Sequence, residues 1–145
     1  MRIKVFLDTN ILVDVLLGNR PHSEASKMVF QAVYDHLAEG VISSQSMIDA
    51  TYILGKIDGA SFTGQFLDIV NHFNLETVDF FALKHACTNF TGDFEDDALY
   101  HVALHSGCDV IVTSDKTFIR TYQDKNPRPL VITPEEFVEK ITADA

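Results

Sequence analysis

The sequence predicts an α/β fold built on a mainly parallel central sheet. Two observations carry that expectation. Short β-branched or apolar runs alternate with longer segments of helical periodicity along the chain, the pattern of strands joined by crossover helices. The 145 residues are 46% hydrophobic and 22% charged, the size and composition of one compact core, so residues 1–145 are read as a single domain.

Each element has its own signal. Residues 2–7 form an apolar run that Asp8 stops, a first strand. A helix follows from Thr9 or Asn10 to about Leu17, ended by Gly18 and the Asn19-Arg20-Pro21 segment. Ser23 is the expected N-cap of a second helix reaching about Ala38, with Glu24 in its first turn and Gly40 closing it. Residues 41–43 read as a short buried strand. Ser44 then caps a helix to about Lys56, and a further helix spans about 61–73. Residues 75–78 are a strand and 80–87 a helix. Residues 93–105 form a helix with an acidic entrance, and 109–113 are the clearest buried strand after the first. A short helix at 116–122, a strand at 130–132 and a last helix opened by Thr133-Pro134-Glu135-Glu136 follow, proline being favoured at the first helical position.

The net charge of −10 weighs against a broad basic platform for nucleic acid, since nonspecific phosphate affinity comes from Lys and Arg. It leaves open a nuclease, because bound cations neutralise a carboxylate cluster locally and let phosphate approach the metal. The apolar run before Asp8 is too short for a signal segment or a membrane span, so a cytoplasmic protein with no membrane contact is expected. Cys87 and Cys108 have no CxxC spacing and read as buried reduced thiols.

In parallel sheets ligands gather where strands end and helices begin. Asp8 and Thr113 sit at such ends, and Asp115 follows closely. Asp8 and Asp115 are read equally well as helix caps. Asp49 has no cap to form: it lies inside a helix beside an apolar stripe, where a carboxylate is costly unless paired or metal-bound. Lys56 is two turns away, and the near positions are Tyr52 and Ile53. The run Asp93-Phe94-Glu95-Asp96-Asp97 holds more acid than a cap needs. Asp93 reads as the cap, with Asp96 in a shortened capping box and Glu95 solvated. Helical geometry puts Asp97 in line with Tyr100, His101 and Leu104, at the edge of a core made by Ala98, Leu99, Val102 and Ala103. Asp8, Asp49, Asp97 and Asp115 thus form the expected acidic site. Oxygen donors of this kind suit Mg²⁺ or Mn²⁺, and metal-assisted phosphodiester hydrolysis is the reaction class they suggest.

The segment Val5-Phe6-Leu7-Asp8-Thr9-Asn10-Ile11-Leu12 resembles the opening motif of PIN domains. Asp97-Ala98-Leu99 through Ala103-Leu104 resembles the family's third motif, and Gly107-Cys108-Asp109-Val110-Ile111-Val112-Thr113-Ser114-Asp115 its strand with a terminal acid. The resemblance covers nearly the whole chain. It implies a three-layer α/β/α sandwich and a Mg²⁺- or Mn²⁺-dependent endoribonuclease that hydrolyses single-stranded or structured RNA to 3′-hydroxyl and 5′-phosphate ends. It also implies Asp8, Asp97 and Asp115 as metal ligands, Asp49 as a fourth catalytic acid, and Asn10 and Thr113 in support. Many small members are toxins of toxin–antitoxin pairs, so an antitoxin partner and a homodimer are implied too.

Two positions depart from the family pattern. Asp49 stands where a glutamate is usual, drawing the carboxylate back by roughly 1.5 Å, one C–C bond. Ser114 stands where a basic residue often follows the threonine. Both departures bear on catalytic strength, and Asp49 together with the acidic surface supports the alternative of a catalytically weak or inactive PIN-like binding module. An aspartyl-phosphate enzyme is a third reading, disfavoured by Asn10 two residues after Asp8 and by the lack of a lysine closing the strand at 130–132. His101 and His105 share a helix face but lack the HExxH glutamate, so they are expected to be a solvent-facing or partly buried pair, not zinc ligands.

Overall fold

A computed structural model of the chain describes residues 2–58, 62–125 and 127–144, the side chains at 56–58 and 144 excepted. Five strands, β1 (Ile3–Leu7), β2 (Ala38–Ser43), β3 (Asn74–Glu76), β4 (Val110–Val112) and β5 (Leu130–Ile132), pair in parallel in the order β3-β2-β1-β4-β5. Eight helices are seen among the described residues: α1 (Thr9–Leu17), α2 (Ser23–Tyr34), α3 (Ser44–Asp58), α4 (Thr63–His72), α5 (Phe80–Thr88), α6 (Phe94–His105), α7 (Lys116–Tyr122) and α8 (Pro134–Asp144).

The sheet is covered on both faces, which is why its central strands read as continuous apolar runs and not as alternating ones. Val5, Leu7, Ile42, Val110 and Val112 point to one face, where α1, α2, α3, α4 and α8 pack through Leu12, Phe30, Met47, Ile69 and Phe137. Phe6, Val41, Ile111 and Val131 point to the other, against Ala82 of α5, Leu99 and Ala103 of α6, and Phe118 and Tyr122 of α7. The result is the three-layer α/β/α sandwich that the sequence suggested.

Most element ends fall within a few residues of expectation, and the largest difference is instructive. The second helix stops at Tyr34, not near Ala38, and Gly40 lies inside β2 instead of ending a helix. The reason is tertiary. A Cβ at Gly40 would stand 2.5 Å from the Phe73 ring and 3.0 Å from Val33 Cγ1, so the strand needs a residue without a side chain where α2 and Phe73 cross it. Two smaller shifts concern helix entrances. Ser23 does not cap α2; its hydroxyl donates to Asp14 O at 2.7 Å. At α3 it is Ser43, not Ser44, that accepts from Ser46 N, at 3.0 Å. The helix expected from Ser61 is found from Thr63, Ser61 itself lying outside the described residues.

Candidate active site

The chain leaves β1 outward through β2 and β3, then returns to the other side of β1 as β4. At that reversal the loops after β1 and β4 part and leave a crevice at the carboxyl ends of the strands. Asp8 opens it. As the first residue after β1 it N-caps α1, Oδ1 accepting from Thr9 N at 2.8 Å. Oδ2 accepts from the Thr113 hydroxyl at 2.8 Å and from Asn10 Nδ2 at 3.2 Å. Thr113 Oγ1 also accepts from Asp115 N at 3.1 Å, and Asn10 Oδ1 from Ser114 N at 3.4 Å. Asn10 and Thr113 therefore lock the ends of β1 and β4 together around a single Asp8 rotamer. Asp8 thus caps α1 and lines the cleft at once.

Asp115 is also a cap. Thr117 N at 2.9 Å and Phe118 N at 3.3 Å both donate to its Oδ1, so the two cap bonds fall on one oxygen. Asp49 enters the same cleft from α3, half-buried, its Oδ1 accepting from Gln45 Nε2 at 2.9 Å one turn back. The side chain of Lys56, the alternative partner, lies outside the described residues.

Of the adjacent aspartates in α6 it is Asp96 that lines the cleft, not Asp97, which helical geometry and the family resemblance both selected. Asp93 caps α6 by accepting from Asp96 N at 2.9 Å, and Asp96, three residues on, shares its face and lines the cleft with Asp8, Asp49, Glu95 and Asp115. Asp97 turns about 100° away and does not line the cleft. It is fully buried, accepting from Thr91 N at 2.8 Å, Thr91 Oγ1 at 2.5 Å and the Tyr122 hydroxyl. Asp97 thus ties the start of α6 to the end of α7. Glu95, expected to be merely solvated, also lines the cleft. The signal that identifies Asp96 is its i+3 relation to the capping acid.

Negative charge accumulates here, six acids lining the cleft against one arginine, Arg20, among the described residues. Burial raises the Asp8 carboxyl to about 6, the charges of Asp115 and Asp93 adding to it and the bonds from Thr113 and Thr9 opposing it. Asp96 is raised to about 8, mainly by burial and then by Asp8, Asp93, Asp115 and Glu95. Glu95 is raised by burial and by Asp8, Asp49 and Asp93. No hydrogen-bond donor among the described residues reaches the Asp96 carboxylate. Carboxylates crowded in this way are the donor type that a hard divalent cation favours. Among the described residues, however, no three acidic, imidazole or thiol groups are already drawn to ligand spacing.

Other candidate groups lie elsewhere. The rings of His101 and His105 lie 4.1 Å apart between centroids, tilted by 34°, with His85 of α5 4.6 Å from His101. Cys108 is buried and its thiol pushed up to about 12 by burial, but Cys87 is exposed, contrary to the expectation for both. Neither forms a disulfide. Among the described residues no helix is long and apolar enough to cross a membrane.

Comparison with known proteins places the chain by family and by fold. A curated relative, "Ribonuclease VapC1" from Aquifex aeolicus (strain VF5), is 28% identical over an alignment of 143 residues that covers 94% of this chain and 94% of its own. Two solved structures share the fold. VapC20 of Mycobacterium tuberculosis, described as a sarcin-ricin loop cleaving toxin, superposes with a TM-score of 0.63 at 14% identity, over 79% of this chain and 92% of its own. A toxin–antitoxin complex from Klebsiella pneumoniae contains a chain with a TM-score of 0.61 at 20% identity, over 90% of this chain and 97% of that one. The family model described as "PIN domain" matches residues 4–117, well over half of the chain and all of the acids that line the cleft. By that match this chain belongs to the PIN-domain family.

Proposed function

We propose that this protein is a divalent-metal-dependent endoribonuclease, the toxin of a toxin–antitoxin pair, whose chemistry takes place in the cleft between β1 and β4. One observation carries the proposal: Asp8 and Asp96 are both buried carboxylates, pushed upward to about 6 and about 8, in a cleft that six acids line against a single arginine among the described residues. A cation between such groups relieves their repulsion. The ribonuclease name of the Aquifex relative and the RNA-cleaving toxin among the structural neighbours support RNA as the substrate. The Klebsiella complex supports a protein antitoxin as partner.

Asp8, Asp96 and Asp115 are the acids assigned to hold Mg²⁺ or Mn²⁺, with Asp49 completing the set. Such an ion, when bound, polarises a phosphodiester and lowers the pKa of water. The chain's own residues do the positioning. Asn10 and Thr113 keep Asp8 in one rotamer, and the α6 and α7 caps aim Asp96 and Asp115. Water oxygen bonds to phosphorus while the 3′-oxygen departs, leaving 3′-hydroxyl and 5′-phosphate ends.

A direct test incubates purified protein with labelled RNA and Mn²⁺, with and without chelator, and maps the new ends. Asp8→Asn and Asp96→Asn should each lose cleavage. Cleavage at the original rate by both variants would overturn the assignment. Failure of the unaltered chain on every RNA would favour the binding-module reading, for which the commitment of Asp49 to Gln45 is the supporting contact.

A further inference from the structure

We infer that Arg20 is a substrate-binding residue whose guanidinium holds an RNA phosphate at the mouth of the acidic cleft. The inference rests on the ribonuclease reading above and concerns a residue outside the acidic set. Six acids line this cleft, namely Asp8, Asp49, Asp93, Glu95, Asp96 and Asp115, and Arg20 is the one basic side chain that lines it with them among the described residues. A polyanion entering such a cleft needs a fixed cation besides any bound ion, and a planar guanidinium matches phosphate geometry.

The local structure is built to hold Arg20 in place. Gly18 ends α1 in the left-handed conformation (φ 75°), its N–H donating to Asp14 O. Ser23 Oγ donates to the same carbonyl at 2.7 Å and accepts from Arg20 N at 2.9 Å. Asp14, buried in α1, accepts from Ser26 Oγ at 3.2 Å and pairs through Oδ1 with Arg20 Nε at 2.8 Å. Backbone and side chain of Arg20 are thus both pinned to Asp14. The pair occupies the Nε side of the guanidinium. Its two terminal nitrogens have no hydrogen-bond partner among the described residues, and the side chain is 37% exposed.

The plain alternative is that Arg20 only neutralises Asp14. Burial raises the Asp14 carboxyl and Arg20 lowers it, so loss of Arg20 alone would leave a buried charge uncompensated and weaken the fold. The decisive variant is therefore Asp14→Asn/Arg20→Gln, which removes both charges together. RNA binding is measured by anisotropy of a labelled single-stranded oligonucleotide over a salt series with Mn²⁺ present, in the Asp96→Asn background to suppress cleavage. Adding the double substitution should weaken binding roughly tenfold or more. It should also reduce the slope of log affinity against log salt by about 0.7, the value for one phosphate contact on a single strand. Asp14→Asn alone, which keeps the guanidinium, should retain the slope. Unchanged affinity and slope in a folded double variant would overturn the role of Arg20. Should the unaltered chain cleave no RNA, the functional reading falls first and takes this inference with it.

Discussion

Asp97→Asn is nearly isosteric, yet it should cost this protein stability while sparing its chemistry. The carboxylate is fully buried and accepts three bonds, from Thr91 N, Thr91 Oγ1 and the Tyr122 hydroxyl. An amide has one accepting oxygen. If that oxygen faces the two hydroxyls, which share Oδ1, the new NH₂ meets Thr91 N–H, donor against donor. If the amide is reversed, both hydroxyls lose their acceptor. In either orientation the surviving bonds also lose their charge assistance. A bond to a charged group contributes about 1.5–3 kcal/mol and a neutral one about 0.5–1.5, so weakening three of them amounts to about 3 kcal/mol. For a chain of 145 residues that is a fall in melting temperature of roughly 6–12 °C. Urea unfolding should show a lower midpoint at unchanged slope. Cleavage measured well below the transition should stay within severalfold of normal, because Asp97 does not line the cleft. Asp96→Asn should behave in the opposite way, inactive and no less stable. An Asp97→Asn protein with a normal midpoint and no activity would refute the division of labour between these two neighbours.

Three further outcomes are expected. Asp8 and Asp96 titrate near 6 and 8 in the folded chain against 3.8 for an ordinary aspartate, so the native state binds protons more tightly than the unfolded one. Metal-free stability should therefore fall as pH rises from about 4 to 8; the trend should flatten in an Asp8→Asn/Asp96→Asn variant, and an undiminished slope there would place its source elsewhere. Gly40→Ala forces a methyl against the Phe73 ring and Val33 and should cost about 1–3 kcal/mol in thermal melts, a neutral result contradicting the packing. A thiol reagent at mildly alkaline pH should modify the exposed Cys87 quickly and the buried Cys108 only after denaturation, whereas two fast thiols in the native state would contradict the structure.

Much of the architecture was legible in the sequence because strands and helices differ in period and length. Helices α7 and α8 and strand β5 announce themselves through local caps and turn residues. Asp8, Asn10, Thr113 and Asp115 were legible for a related reason: they follow strands directly, and strand ends are where a parallel sheet opens. Helix α6 resisted because it has no polar stripe. Residues 96–100, 102 and 103 are all buried, so periodicity does not say which face meets the cleft. What settles it is Tyr122, 25 positions further on, together with Thr91. Gly40 misled for a similar reason, since the ring that demands a glycine belongs to Phe73, far along the chain. Arg20 looked like part of a turn because its partner Asp14 sits within an apolar helix, and only the fold brings the pair to the cleft.

The acids of the cleft come from widely separated stretches, after β1, along α3, at the entrance of α6 and after β4. Synthesis proceeds from the amino terminus, so the first strand and Asp8 emerge long before their partners exist. Thr113, which holds the Asp8 carboxylate, and Asp115 arrive only after β4 has been made, and β4 is itself flanked only once β5 follows. A growing chain therefore carries isolated acids and no assembled centre. For a protein proposed to cut RNA, this order of assembly is a built-in delay: the acidic centre is incomplete until β4 and the residues that follow it have been made.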